Sequence, residues 1–256
     1  MLEFIDVTLR FGGQISLHEI NLQVPEGTIY SIIGPNGAGK TSLLNCVNGF
    51  YKPSSGKIIF EGENLLTMPP HNIPRLGIAR TFQKVELFKN LRVIDNMLLG
   101  CHLQMGYGLG AAAFFWGKAI REELVFRRYV EEVIDFLEIE QWRNHFVDKV
   151  PFGILKRVEL GRALVMNPKV ILMDEPTSGM NAEETEDFVR FIIDIYEELD
   201  KSILLVEHDM DVVMEISHRI CVLDYGRKIA EGSPVEIQND AEVINAYLGS
   251  NQKDGN

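Results

Sequence analysis

Apolar and polar positions alternate in short runs along the first part of the chain, a pattern typical of β-strands separated by turns. The predicted strands cover residues 2–7, 19–24, 28–33 and 57–60. The turns between them are Gly12-Gly13, Pro25-Glu26-Gly27 and residues 53–56, all rich in Gly, Pro or Ser. One helix is expected after Gly39. This part of the chain is therefore predicted to form a strand-rich lobe.

The spacing of apolar positions changes to a helical one between about residues 95 and 162. Val130, Val133, Ile134 and Leu137 fall on one face of a helix. Residues 118–150 contain neither Pro nor Gly. We therefore predict a separate, mostly helical lobe in this region.

After Pro168 the pattern returns to alternating strands and helices. Residues 170–173 and 203–206 are apolar runs that predict buried strands, and residues 182–199 predict an amphipathic helix between them. Asn181 is the expected N-cap of that helix, with Glu184 three residues further on. This alternation favours a mostly parallel sheet covered by helices.

The net charge of the chain limits the kinds of molecule that it can bind. The chain has 256 residues, a formal net charge of −12 and a pI near 5.0. Such a surface repels a polyanion, so we expect no nucleic acid partner. The densest basic spots are predicted to be solvated helix faces, and they comprise Arg121, Arg127 and Arg128, and Lys156 with Arg157. The three distant cysteines predict no disulfide framework and favour a reducing compartment.

The sequence also bears on export and membrane insertion. The N-terminal residues are acidic and alternating, which predicts a first strand and no export signal. No segment approaches the roughly 20 apolar residues of a membrane helix. Residues 106–116 are predicted to form a loop and a packing helix of the helical lobe. Contact of these residues with a membrane surface or a permease is the alternative.

A glycine-rich loop follows the strand at residues 28–33 and matches the phosphate-binding pattern G-x-x-x-x-G-K-[ST]. The predicted nucleotide-binding residues are Gly34, Pro35, Asn36, Gly37, Ala38, Gly39, Lys40, Thr41 and Ser42. Glycines let backbone N–H groups surround the β-phosphate, and the helix N-terminus adds partial positive charge. We expect Lys40 to bridge the β- and γ-phosphates, Thr41 to bind Mg²⁺ and Ser42 to reach the α-phosphate.

Two further strands end in polar residues that are expected at the same edge of the sheet. Asp174 and Glu175 follow the strand at residues 170–173, at the carboxyl edge where such sheets bind ligands. Asp174 is predicted to hold Mg²⁺ through its water shell, and Glu175 to accept a proton from the water that attacks the γ-phosphate. His208 follows the strand at residues 203–206 and is predicted to donate a hydrogen bond to the γ-phosphate.

In this order, the motifs resemble those of ABC transporter nucleotide-binding subunits over nearly the full chain, which implies ATP and Mg²⁺ as ligands. The resemblance implies that Phe11 stacks on adenine. It also implies that Gln83 takes part in catalysis and that Gln83 and Asp174 bind the metal ion. The implied fold is α/β, a P-loop NTPase with a RecA-like core, an antiparallel β subdomain and an inserted helical subdomain. The implied boundaries are about 1–94 and 163–256 for the core with its β subdomain, and about 95–162 for the helical subdomain.

Within that family the chain is most similar to ATPase subunits of branched-chain amino acid importers. The similarity includes Leu87-Phe88 shortly after Gln83, a helical insertion around residues 104–130 and the ending at residues 243–249. It implies an ATPase that powers import of a branched-chain amino acid or a similar small solute. The implied partners are a second ABC ATPase subunit, two integral membrane permeases and, indirectly, a solute-binding protein. The implied location is peripheral, at the cytoplasmic face of the inner membrane.

Three alternatives remain open at this point. Two are the ATPase of a lipid or polysaccharide exporter, and a non-transport ABC ATPase that acts on nucleic acid, which the acidic charge disfavours. The third is a small-molecule kinase with the same phosphate loop. Glu175 beside Asp174 disfavours the kinase, because a second carboxylate there suits activation of water better than activation of a substrate hydroxyl.

The chain departs from the family where the signature L-S-G-G-Q is expected. Pro151, Phe152, Gly153 and Ile154 stand there, and only Gly153 matches. In the family this loop closes on ATP held by the opposite subunit, and Pro151 offers neither a hydroxyl nor an N–H. We therefore hypothesise an asymmetric heterodimer in which the ATP site completed by this chain's signature is weak. The alternative is that Gly153 and the helix dipole suffice.

Overall fold

The computed structural model describes residues 1–81, 83, 85–101 and 118–251. Its strands are β1 (Leu2–Phe11), β2 (Gln14–Val24), β3 (Ile29–Ile33), β4 (Ser55–Phe60), β5 (Glu63–Asn64), β6 (Ile78–Arg80), β7 (Val170–Asp174), β8 (Ser202–Val206), β9 (Arg219–Asp224) and β10 (Arg227–Gly232). Its α-helices are α1 (Lys40–Val47), α2 (Val93–Cys101), α3 (Lys118–Phe136), α4 (Phe152–Leu164), α5 (Ala182–Glu197), α6 (Met210–Ile216), α7 (Pro234–Gln238) and α8 (Ala241–Asn251).

The N-terminal strands form an antiparallel sheet in the order β2-β1-β4-β5. The hairpin of β1 and β2 is longer than predicted, because β1 continues to Phe11 and β2 already begins at Gln14. Leu9 pairs with Leu17 across the hairpin, and both side chains are buried. The apolar face thus extends past the predicted strand ends, and only Gly12 and Gly13 remain for the turn.

The second sheet has the order β10-β9-β3-β8-β7-β6. All neighbours in it are parallel except β10, which is antiparallel to β9. The loops after β3, β6, β7 and β8 therefore leave the sheet at one carboxyl edge. This confirms the predicted α/β fold. Strands β9 and β10 were not assigned from the sequence pattern.

Helices α2, α3 and α4 pack on one another in the region predicted to be helical. Their shared apolar cluster includes Val93, Met97, Val130, Ile134 and Val158. Helix α3 ends at Phe136, well before residue 150, because Glu138 adopts the left-handed conformation with φ of 56°. Residues 102–117, and with them the predicted loop and packing helix at 106–116, lie outside the described residues. The subdomain boundaries stay a prediction.

Helix α5 begins as predicted, with Asn181 as its N-cap. The Asn181 side chain accepts a hydrogen bond from the backbone N–H of Glu184 at 3.0 Å, and the Glu184 carboxylate accepts one from the N–H of Asn181 at 3.0 Å. This reciprocal capping box satisfies two helix-terminal donors. The helix ends at Glu197, two residues before the predicted end.

The prediction that Lys156 and Arg157 lie on a solvated helix face is wrong. Lys156 is only 2% exposed. The guanidinium of Arg157 donates to Asp187 at 2.7 Å and lies 4.7 Å from the centre of the Phe191 ring. Helix α4 is packed on several sides, so Lys156 is buried in the interior and Arg157 is paired with Asp187 on α5. Arg127 and Arg128 on α3 are exposed, as expected.

No α-helix within the described part of the chain is both long and apolar enough to cross a bilayer. The three cysteines, Cys46, Cys101 and Cys221, are buried free thiols. Burial raises the pKa of the Cys46 thiol to about 12, so this group stays protonated at neutral pH.

Candidate active site

The phosphate loop joins β3 to α1 at the carboxyl edge of the parallel sheet. Gly34 has a φ of 147°, and a Cβ at this position would overlap the Leu223 carbonyl oxygen. Gly39 has a φ of 103°, and its Cβ would lie 2.7 Å from the Ser16 carbonyl oxygen. Both positions therefore require glycine, because the loop backbone packs directly against neighbouring backbone.

The Lys40 side chain is folded back over this loop. Its ammonium donates to the carbonyl oxygens of Gly34 at 2.7 Å and Pro35 at 3.1 Å, and the residue is only 6% exposed. Burial lowers the pKa of Lys40, and the carboxylates of Glu175 and Asp174 oppose that shift. The ammonium is thus held against the loop backbone, where the two predicted acids interact with it electrostatically.

A cavity of about 310 Å³ opens beside the loop. It is lined by Ser16, Asn36, Gly37, Ala38, Gly39, Lys40, Thr41, Ser42 and Glu175. Ser16 was not singled out from the sequence. Its hydroxyl donates to the Ser42 hydroxyl at 3.0 Å, which ties β2 to the first turn of α1.

Asp174 connects the phosphate loop to the neighbouring strands. Its Oδ1 accepts a hydrogen bond from the Thr41 hydroxyl at 3.2 Å, and its Oδ2 forms an ion pair with the Arg80 guanidinium at 2.9 Å. Both side chains of this ion pair are nearly buried, with 7% of Arg80 and 4% of Asp174 exposed. Arg80 also donates to Asn45 on α1 at 2.6 Å. No local sequence pattern indicated this role of Arg80.

Glu175 has a left-handed backbone with φ of 47°, which is costly for a residue other than Gly. Its N–H donates to the Val206 carbonyl at 2.8 Å, which fixes this turn against β8. The Gln83 amide donates to Glu175 Oε2 at 2.6 Å, and His208 Nδ1 lies 4.0 Å from the same oxygen. The structure therefore brings the three predicted catalytic residues together.

Two buried charged residues beside this group were missed from the sequence. Glu207 is 0% exposed and precedes His208. Lys156 donates from α4 to the Gln83 carbonyl oxygen at 3.0 Å. Burial lowers the pKa of Lys156, while Glu159, Glu207 and Glu175 oppose the shift. Lys156 contacts Gln83 across 73 residues and Glu207 contacts Thr177 across 30, so no local pattern indicated these contacts.

Phe11 is placed at the end of β1, next to the hairpin turn. Its ring is 48% exposed and meets the Tyr51 ring edge-on, with centroids 5.0 Å apart. Among the described residues, Phe11 does not line the cavity of the phosphate loop. Its predicted contact with adenine remains a prediction.

The predicted signature residues Pro151, Phe152, Gly153 and Ile154 stand at the N-terminus of α4. Phe152 is 42% exposed, and its ring packs beside Gly179 in the loop after Glu175. Gly153 is buried, and a Cβ there would lie 2.7 Å from the Glu184 carboxylate. The N-cap of this helix is Pro151, and no side chain in the described part of the chain caps it. The segment thus lies against the α5 capping box.

Comparisons with known proteins agree with this geometry. Residues 17–178 match the family model described as ABC transporter, and residues 227–252 match the model described as branched-chain amino acid ATP-binding cassette transporter. The chain is 36% identical over 249 residues to the high-affinity branched-chain amino acid transport ATP-binding protein BraF of Pseudomonas aeruginosa. That alignment covers 97% of this chain and 98% of BraF.

A second relative and a solved structure extend the comparison. The chain is 39% identical over 248 residues to the corresponding protein LivG of Salmonella typhimurium, with 94% of each chain covered. An ATP-binding cassette of an ABC transporter solved in its ADP conformation superposes with a TM-score of 0.82 at 28% identity, covering 97% of this chain and 98% of that one. The chain therefore belongs to the ABC transporter family, as an ATP-binding and ATP-hydrolysing subunit with the P-loop NTPase fold.

Proposed function

We propose that this chain hydrolyses ATP to drive import of branched-chain amino acids through partner permeases. The observation that carries the proposal is the convergence of Gln83, Glu175 and His208 beside the phosphate loop. The match of residues 227–252 to the branched-chain amino acid model supports this substrate class, as does the similarity to BraF.

The oxygen atoms beside the loop suit Mg²⁺. Mg²⁺ is usually held by one or two protein oxygens together with phosphates and water. The Thr41 hydroxyl and Asp174 Oδ1 lie 3.2 Å apart, and the Gln83 side-chain carbonyl is at the same edge, since its amide nitrogen donates to Glu175. These three residues would hold the ion. When bound, Mg²⁺ would neutralise negative charge on the phosphates.

The side chains have distinct roles in the proposed hydrolysis. Lys40 neutralises phosphate charge from within the loop. Glu175 accepts the proton of the attacking water, and Gln83 orients that carboxylate through its amide. His208 contacts the terminal phosphate from the end of β8. Phe11 stacks on adenine from the end of β1.

The proposed assembly contains a second ABC ATPase subunit, two integral membrane permeases and, indirectly, a solute-binding protein. The chain would act peripherally, at the cytoplasmic face of the inner membrane. Its similarity to transport ATP-binding proteins over nearly the whole chain supports the membrane partners.

Removing this chain from its host is expected to abolish high-affinity uptake of labelled leucine, because without ATP hydrolysis the permeases cannot accumulate solute. Re-expressing the wild-type chain should restore uptake. The Lys40→Met variant should not, since it lacks the ammonium that binds phosphate. A strain without other leucine carriers is the suitable background. Leucine uptake that is unchanged after removal would contradict the proposed substrate class.

We also propose that the two ATP sites of the assembly are unequal. Pro151 is the N-cap of α4 and has no N–H, so the helix N-terminus offers one donor fewer to a phosphate. Loss of a hydrogen bond to a charged group costs about 1.5–3 kcal/mol, or roughly ten- to a hundredfold in function. The site completed by residues 151–154 is therefore the weaker one.

Mixed dimers test this asymmetry. In one dimer Glu175 of this chain is replaced by Gln, and in the other the corresponding glutamate of the partner ATPase is replaced. We expect the first replacement to remove most phosphate release and the second to leave most of it, because this chain's phosphate loop faces the partner's intact signature. Equal residual rates from the two dimers would refute the asymmetry.

A further inference from the structure

The carboxylate of Glu207 is fully buried at the end of β8 and is surrounded by donors. Its Oε1 accepts hydrogen bonds from the Thr177 hydroxyl and from the Thr177 N–H at 3.3 Å. Its Oε2 accepts from the N–H groups of His208 at 2.7 Å and Asp209 at 3.4 Å. A buried charge is stable only when such partners compensate it.

These contacts join two segments of the active site. Thr177 belongs to the loop that starts at Glu175, and His208 leaves the adjacent strand. The two segments are 30 residues apart in the sequence, and the Glu207 carboxylate bridges them. A change in the Glu207 side chain therefore affects the position of both.

Glu207 also faces the imidazole of His208. Its Oε2 lies 3.3 Å from His208 Nδ1, so a neutral ring that carries its proton on Nδ1 would direct this N–H at the carboxylate. Although 58% of the His208 side chain is exposed, its Nδ1 thus faces a fully buried carboxylate. Nε2 is then the nitrogen left to meet a ligand.

Other charged groups surround this pair. Glu175 Oε2 lies 4.0 Å from the same Nδ1 and adds to the negative potential. Lys156 on α4 interacts electrostatically with both Glu207 and Glu175. The Asp209 carboxylate accepts instead from the N–H groups of Asp211 and Val212 at the start of α6. Of the two carboxylates near Nδ1, that of Glu207 is the closer one.

We propose that Glu207 is a positioning residue, which fixes the Nδ1-protonated orientation of His208 and locks that histidine to the loop after Glu175. This rests on the proposed function, in which His208 meets the terminal phosphate of ATP. In that arrangement Nε2 points to the phosphate because Nδ1 is committed to Glu207. The buried Glu207 carboxylate thereby sets the geometry of a group that touches the substrate.

The tautomer of His208 tests the proposal directly. The full-length protein, labelled with ¹⁵N-histidine and free of nucleotide, is examined by NMR at a pH where the ring is neutral. The His208 signal is assigned with the His208→Gln variant. We expect Nδ1 protonation in the wild type and its loss or mixture with the Nε2 form in Glu207→Gln. The matched control Asp209→Asn should retain the wild-type pattern.

Kinetics provide the second readout. Glutamine at position 207 replaces one acceptor oxygen by an NH₂ group, which then faces groups that are themselves donors, so part of the network is lost. We expect Glu207→Gln to lower kcat for ATP about ten- to a hundredfold with little change in KM. Asp209→Asn should leave both close to wild type. An unchanged His208 tautomer in Glu207→Gln would overturn the proposal whatever the rate.

Two further outcomes are distinguishable. If Glu207→Gln does not fold, Glu207→Asp takes its place in both experiments. This variant keeps the negative charge but moves it away from His208 by the length of one methylene group. A wild-type His208 tautomer together with a wild-type rate in Glu207→Asp would overturn the proposal. ATP binding is measured separately by calorimetry. Absence of ATP binding in a wild-type protein with the expected His208 signal would refute the proposed function alone.

Discussion

Glu175→Gln is expected to lower ATP hydrolysis by about a hundred- to ten-thousandfold while ATP binding is retained. The carboxylate is 19% exposed, lies beside the phosphate-loop cavity and is oriented by the Gln83 amide at 2.6 Å. Gln has nearly the same shape and can still accept that hydrogen bond, but it cannot take a proton from water. Phosphate release measures the rate, and calorimetry measures ATP binding.

The matched control is Glu183→Gln. Glu183 is an exposed carboxylate in the first turn of α5, so its replacement changes the charge equally but leaves the cavity intact. Its hydrolysis rate should stay near that of the wild type. If Glu175→Gln retained hydrolysis within about tenfold, a general-base role for this residue would be wrong.

Arg80→Met is expected to destabilise the fold by about 3 kcal/mol. Arg80 pairs with Asp174 at 2.9 Å where both side chains are nearly buried, and it also binds Asn45. Met fills a similar volume but leaves the Asp174 carboxylate without its cation. Urea unfolding, followed by circular dichroism, measures the change in the free energy of unfolding.

A solvent-exposed ion pair provides the comparison. Arg143 contacts Glu131 at 3.3 Å, with 47% and 35% of the two side chains exposed. Arg143→Met should cost less than about 1 kcal/mol, because water screens exposed pairs. Equal losses from the two variants would show that burial of the Arg80–Asp174 pair adds nothing to its strength.

Local sequence patterns predicted the parts of the site that local structure determines. The phosphate loop requires a strand, glycines with unusual φ and a helix in immediate succession, and all three are encoded within a few residues of Gly34 and Lys40. Asp174 could be placed because a buried strand ends there. The capping box of Asn181 and Glu184 could be predicted for the same reason, since its two members are three residues apart.

Contacts between distant segments could not be predicted in this way. Lys156 was interpreted as solvated because its neighbours are charged, yet it reaches the Gln83 carbonyl across 73 residues. Arg80 meets Asp174 across 94 residues. A local pattern gives the periodicity of a segment but not the elements that pack against it, so buried ion pairs and anchors appear only in three dimensions.

The roles assigned to Phe11 and to residues 151–154 are predictions of another kind. Both came from the resemblance to a family, and both concern groups outside a single chain, namely the adenine base and the partner's ATP. The structure places Phe11 against Tyr51 and Phe152 beside Gly179, on surfaces that remain accessible. Their function depends on what binds there.

The neighbouring strands β6 and β7 have a consequence for movement. Arg80 pairs with Leu172 although residues 81–169 separate the two strands along the chain. That long crossover carries both Gln83 and residues 151–154, whereas Lys40 and His208 belong to the rest of the molecule. Lys156 also belongs to this crossover, and its ammonium donates to the Gln83 carbonyl oxygen at 3.0 Å. A displacement of the helix that begins with residues 151–154 would therefore be transmitted to Gln83 through this hydrogen bond.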